Sequence, residues 1–88
     1  MRPTLNALLA HAAAQGVTVI WAPLPPGRRG AWHHTTRTII LRPGMSDTLA
    51  VPTLMHELEH ARRGDEGPQP RSVEARIDRA VAHRRIIP

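Results

Sequence analysis

The segment His56-Glu57-Leu58-Glu59-His60 carries two imidazoles four residues apart, with an acid directly after the first. On a helix, positions four apart lie on one face, one turn above the other. Both imidazoles can therefore reach a single ion, and Glu57 stands beside that ion. Zinc accepts imidazole nitrogen, and a catalytic zinc takes three protein ligands while keeping one position for water. A further ligand is available downstream. Glu74 and Asp78 are also four apart in a run of helical character, so they too share a face. Glu74 is the first choice for the metal, with Asp78 accepting the free N–H of a ligating histidine. The spacing also admits the reverse, with Asp78 on the metal.

Such a set performs hydrolysis. Glu57 is the expected general base, taking a proton from zinc-bound water and passing it to the leaving nitrogen of a peptide bond. His33 and His34 are candidate donors to the developing oxyanion, a job that cannot fall to tyrosine because the chain has none. Being adjacent in an expected strand, they point to opposite faces. Glu59 occupies a variable position of the box and is expected on the surface. His11 and His83 belong to no constellation and receive no role.

The elements that must position these residues are short. Thr4 or Pro3 opens a helix over Leu5 to Gln15, with Leu5, Leu8, Leu9, Ala12 and Ala13 as its buried stripe. Gly16 ends it, and the β-branched Val17 to Trp21 reads as a strand. A proline- and glycine-rich loop carrying Arg28 and Arg29 follows. Ala31 to His34 and Arg37 to Leu41 form the arms of a hairpin turning near Thr35-Thr36. Ile39 and Leu41 point one way, Thr38 and Ile40 the other, so neither face of that arm is polar.

Ser46 then opens the HExxH helix, which runs to Arg63 and stops at Gly64. Pro52 should kink this helix or mark a late start. Gly64 to Pro70 is a flexible connection, and a last helix spans Arg71 to about Ile86. Trp21 and Trp32 are expected in the core. The order predicts an α+β fold with an N-terminal helix, a small, mainly antiparallel three-stranded sheet, the HExxH helix and a C-terminal ligand helix.

Eighty-eight residues make one domain, residues 1–88, with limited apolar surface to bury. There is no cysteine, so any metal must use histidine and carboxylate. Twelve arginines and no lysine face seven acids, for a formal charge of +5. The arginines are scattered, with no helix-turn-helix and no aromatic stacking platform, so direct nucleic-acid binding is not expected. No apolar run of about eighteen residues is present, which excludes a membrane-spanning helix. Met1-Arg2 followed by Leu5 to Ala14 imitates a signal peptide but is interrupted by Asn6 and His11, so it is read as a structural helix. A cytoplasmic protein is expected.

Several stretches together resemble a known family. Gly30-Ala31-Trp32, then Arg37-Thr38-Ile39-Ile40-Leu41-Arg42-Pro43-Gly44-Met45-Ser46, then Thr53-Leu54-Met55 leading into the box, look like the ImmA/IrrE-type metallopeptidase domain. The likeness covers most of residues 17 to 87. It implies a minimal zincin-like fold and a zinc-dependent cytoplasmic peptidase of a kind found in bacteria, phages and mobile elements, often near a helix-turn-helix repressor. Such a repressor would be the protein substrate. Carried over, the family's HExxH falls on His56, Glu57 and His60, and its acidic ligand helix on Glu74 to Asp78. That spacing also resembles the wider glutamate-zincin pattern, in which the glutamate binds zinc and the aspartate supports a histidine.

The expectation is therefore one zinc ion per chain and peptide-bond hydrolysis. The first rival is a metal-binding regulatory module that acts by binding a protein partner without useful turnover. The second is a small basic nucleic-acid-associated protein whose HExxH is accidental. The arm Arg37 to Leu41 immediately precedes the catalytic helix, so its edge is expected beside the metal, where an extended peptide could add as a strand. The alternative makes that arm central and gives the edge to Ala31 to His34.

Overall fold

A computed structural model describes residues 3–82. Helix α1 spans Leu5–Ala14, β1 Thr18–Trp21, β2 Gly30–His33, β3 Thr38–Leu41, α2 Asp47–Arg63 and α3 Arg71–Ala82. The α+β order matches the sequence expectation. The part of the last expected helix beyond Ala82 lies outside the described residues.

Helix α1 starts because the Thr4 hydroxyl accepts the otherwise unpaired N–H of Ala7 at 3.0 Å. It ends where Gly16 adopts φ +72. There Gly16 N–H donates to the Ala13 carbonyl and Val17 N–H to that of Ala12. This is the Schellman arrangement, which lays the second residue past the helix back over its last turn. Val17 and Ala12 are accordingly both buried.

The sheet is mixed, not mainly antiparallel. Its order is β1-β3-β2, with β1 parallel and β2 antiparallel to β3. β3 is thus the central strand, and the expectation that it forms the edge beside the metal helix is corrected. The reason lies in its composition. Its Ile39 and Leu41 are fully buried against the helices while its main chain pairs on both sides, whereas closeness in sequence to α2 decides nothing about pairing. The edge beside the metal helix is β2, as the alternative had it. The hairpin turns over four residues, His34 to Arg37, with Arg37 held at φ 49. Its guanidinium is anchored by the Gln15 carbonyl at 3.1 Å and by the face of Trp32 at 5.7 Å.

Helix α2 is the axis of the molecule, contacting α1, α3, β2 and β3. Leu8, Ile39, Leu41, Leu54 and Met55 form the fully buried centre between it, α1 and one sheet face. Pro52 does not delay the helix, which is continuous from Asp47 to Arg63. Pro52 is exposed, so the carbonyl left without its N–H partner lies on the solvent side. One residue on, the Thr53 hydroxyl donates to the Leu49 carbonyl at 2.7 Å.

Trp21 is 43% exposed on the edge strand β1, which corrects its assignment to the core. Trp32 is partly buried against the core as expected. The register gives a direct test. Ile39→Ala should cost about 2–5 kcal/mol in chemical denaturation. Ile20→Ala, at 42% exposure on the opposite sheet face, should stay within about 1 kcal/mol of the parent. Equal losses would reject this register.

Candidate metal centre

Helix α2 delivers His56 and His60 one turn apart on the side facing α3, and α3 returns Glu74 and Asp78 toward them. His56 Nε2 lies 3.0 Å from Glu74 Oε1, His60 Nε2 lies 3.1 Å from the same oxygen, and the two Nε2 atoms are 3.2 Å apart. His56, His60 and Glu74 are close enough to hold one metal ion.

The opposite nitrogens decide the protonation. His56 Nδ1 is 2.8 Å from Asp78 Oδ1, and His60 Nδ1 is 2.9 Å from Asp65 Oδ2. An ionised carboxylate only accepts, so each Nδ1 carries the proton and donates it. In the neutral rings both Nε2 atoms are then bare acceptors, meeting each other and a carboxylate oxygen. Three acceptors in contact repel unless they share a cation. A tetrahedral zinc with bonds of about 2.0–2.1 Å spaces its ligands by about 3.3 Å, close to the triangle seen here. The other Glu74 oxygen, Oε2, is buried without a hydrogen bond, although it comes within 3.1 Å of His60 Nε2. The residues fit the ion.

Glu74 and Asp78 do not pair with Arg76 or Arg79; both turn to the histidines. Asp78 meets the far side of the His56 ring, away from the converging atoms. That geometry favours Glu74 as the metal ligand and Asp78 as its support.

Asp65 is the site residue that sequence reasoning passed over as part of a flexible connection. Helix α2 ends as α1 does, with Gly64 at φ 72 donating to the Ala61 carbonyl and Asp65 N–H to that of His60. The motif lays residue 65 over residue 60. Where α1 uses it to pack Val17 on Ala12, α2 uses it to set a carboxylate on the imidazole of His60. Gly64, four residues past His60, was the available signal. The Asp65 carbonyl also accepts from Trp32 Nε1 at 3.1 Å, tying this cap to β2.

Charge follows from these contacts. Burial works to raise the Asp65 pKa, but the hydrogen bonds from Arg63 and His60 outweigh it and hold the carboxyl below its ordinary value. Burial works to lower the His60 pKa, and the Asp65 hydrogen bond with the negative charge of Glu74 outweighs that in turn, so it is raised. In the metal-free protein a proton is thus the cation that competes for the triangle.

Glu57 is 8% exposed, and burial raises its pKa while His56, His60 and Arg28 pull it down. It is not part of the triangle. It lies against Gly30 of β2, where a Cβ would meet Thr53 Cγ2 at 2.8 Å and Glu57 Cγ at 3.1 Å. Only glycine lets the strand approach the helix this closely at Glu57. Glu59, expected on the surface, is buried at 6% exposure. Its carboxylate is clasped by Arg62, with Nε at 2.8 Å, so one turn of helix supplies its neutralising charge.

A cavity of about 860 Å³ opens over His56, Glu57, His60 and Glu74, between β2 with its hairpin turn and the segment Glu66–Gln69. His33 and His34 both line it. His34 lies in the turn, edge-on to Trp32 at 6.0 Å, and its Nε2 is 3.7 Å from Glu66. Neither histidine hydrogen-bonds to the triangle. Among the described residues no helix is long and apolar enough to cross a membrane.

Asp65→Asn should lower zinc affinity about 10- to 100-fold in a competition titration with a chromophoric chelator. Glu74→Ala should remove stoichiometric binding together with the rise in melting temperature that zinc gives the parent. Unchanged affinity in both variants would reject this centre. No family model, curated protein or solved structure matches this chain.

Proposed function

We propose that this chain is a zinc-dependent metallopeptidase of the ImmA/IrrE kind, with His56, His60 and Glu74 as ligands and Glu57 as general base. The observation that carries the reading is Glu57, a buried acid directly beside a three-ligand triangle and at the floor of a cleft, with no part in holding the ion. A module that only binds metal has no need of that acid. Zinc held there supplies a Lewis acid and brings the pKa of water down to about 7. Glu57 receives the proton of the attacking water and returns it to the departing amide nitrogen. Its burial, which raises its pKa, suits a group that must both take and give a proton. Asp78 and Asp65 keep the two imidazoles in the tautomer that leaves Nε2 free. His33 or His34, on the cleft wall, would donate to the developing oxyanion.

The substrate is a peptide segment bound in extended form along β2. Arg42 N–H donates to the Arg29 carbonyl at 2.9 Å. By the alternation of an antiparallel ladder, pairs 29/42, 31/40 and 33/38 are then hydrogen-bonded. The main-chain groups of Gly30 and Trp32 therefore point away from β3, and both residues line the cleft. An added strand would pair with them. A regulatory protein of the repressor type is the natural substrate that the family resemblance suggests.

Glu57→Gln should keep zinc and fold while losing peptide cleavage by about 100- to 10,000-fold, and His60→Ala should lose both metal and cleavage. Cleavage by Glu57→Gln equal to the parent would refute the role of Glu57. Absence of cleavage by zinc-loaded parent protein across repressor substrates would assign the chain to the regulatory, metal-binding module.

A further inference from the structure

Loop 22–29 carries two adjacent arginines, Arg28 and Arg29. Arg42 organises this loop from below: its Nε donates to the Arg28 carbonyl at 2.8 Å, and its terminal nitrogen to the carbonyls of Pro25 at 2.6 Å and Leu24 at 3.2 Å. With the Arg42 N–H bond to Arg29, the backbone on both sides of residue 28 is tied to the sheet. A proline- and glycine-rich loop is thereby held in one position relative to the cleft.

Arg28 sits where two cavities join. It lines the larger cleft over the metal triangle and also a smaller cavity of about 410 Å³ between the loop, α2 and α3; the two share Arg28, Gly30, His56 and Glu57. Among the described residues lining the larger cleft it is the one arginine. Its guanidinium makes no ion pair or hydrogen bond within the described residues, unlike Arg62 and Arg63, which are matched to Glu59 and Asp65. Of the acids around it, Glu74 and Asp78 are hydrogen-bonded to the histidines, and Glu57 feels the Arg28 charge without a hydrogen bond to it. Five donors in a planar fork, on a loop whose backbone is fixed beside the site and with no carboxylate hydrogen-bonded to them, suit a carboxylate supplied from outside.

We propose that Arg28 is a specificity residue that selects a substrate with an acidic side chain next to the scissile bond. The inference rests on the peptidase reading for its location of that bond, but the recognition itself is binding chemistry. Arg29, its neighbour, lines only the smaller cavity and takes no part in this selection.

The test uses zinc-loaded full-length protein and two otherwise identical fluorescent decapeptides with glutamate or arginine beside the central bond, across each flanking position. Cleavage is measured with the parent, and affinity with Glu57→Gln. The glutamate peptides should be preferred about tenfold at one flanking position, the size expected of charge-assisted hydrogen bonds from a guanidinium. Arg28→Glu should reverse that preference, Arg28→Ala should abolish it, and Arg29→Ala should leave it intact. Preference in binding without cleavage by the parent would sink the peptidase reading and keep the selection. Cleavage or binding with no preference, or with a preference that survives Arg28→Glu, overturns the proposal. So does failure of every peptide to bind.

Discussion

Three acceptor atoms held in contact, His56 Nε2, His60 Nε2 and Glu74 Oε1 at 3.0, 3.1 and 3.2 Å, are the constraint on which the rest of this small structure turns. Such a cluster is unfavourable without a cation among its members. Its persistence requires that each group be fixed from behind. Asp78 and Asp65 do this for the two rings. Helix α3 docks through the buried Ile77, the partly buried Val81 and this polar cluster. A cation bound by His56, His60 and Glu74 would tie α3 to α2 directly, which matters in a domain with limited apolar surface to bury.

The neighbourhood of the triangle is arranged to bring a backbone near an acid. Gly30 removes the side chain that would keep β2 off α2, and Glu57 fills the space it leaves. β2 lies at the sheet edge, so the same strand that presses on Glu57 also presents unpaired main-chain groups to the cleft. Trp32, two residues along, donates to the Asp65 carbonyl. The edge strand, the helix cap and the metal triangle are thus connected by direct contacts.

Charge is distributed by the same logic. Four of the chain's seven acids, Glu59, Asp65, Glu74 and Asp78, are hydrogen-bonded to a histidine or arginine in or beside α2 and α3. Most arginines are left facing outward. The basic balance that composition alone records is consequently a property of the surface, while the interior of the site is acidic until a cation enters.

Much of this was legible in the residues themselves. Fold class, the helices within the described residues, and the four groups His56, His60, Glu74 and Asp78 follow from spacing, because helical periodicity is a local property that fixes which side chains share a face. That neither face of Thr38–Leu41 is clearly polar was visible, but the arm was expected at the edge and the structure makes it central. What spacing could not decide was which acid faces which nitrogen, since that depends on how α3 lies across α2. Strand order was likewise undetermined, because β1 pairs with β3 across the intervening hairpin. Glu59 was misread as exposed because the box pattern says nothing about which other face of α2 is covered. Asp65 is placed by the local cap at Gly64, whereas Arg28 sits in a segment without periodicity that only the tertiary contacts of Arg42 hold in place. Local periodicity sets the faces of each element, and long-range packing alone sets what those faces meet.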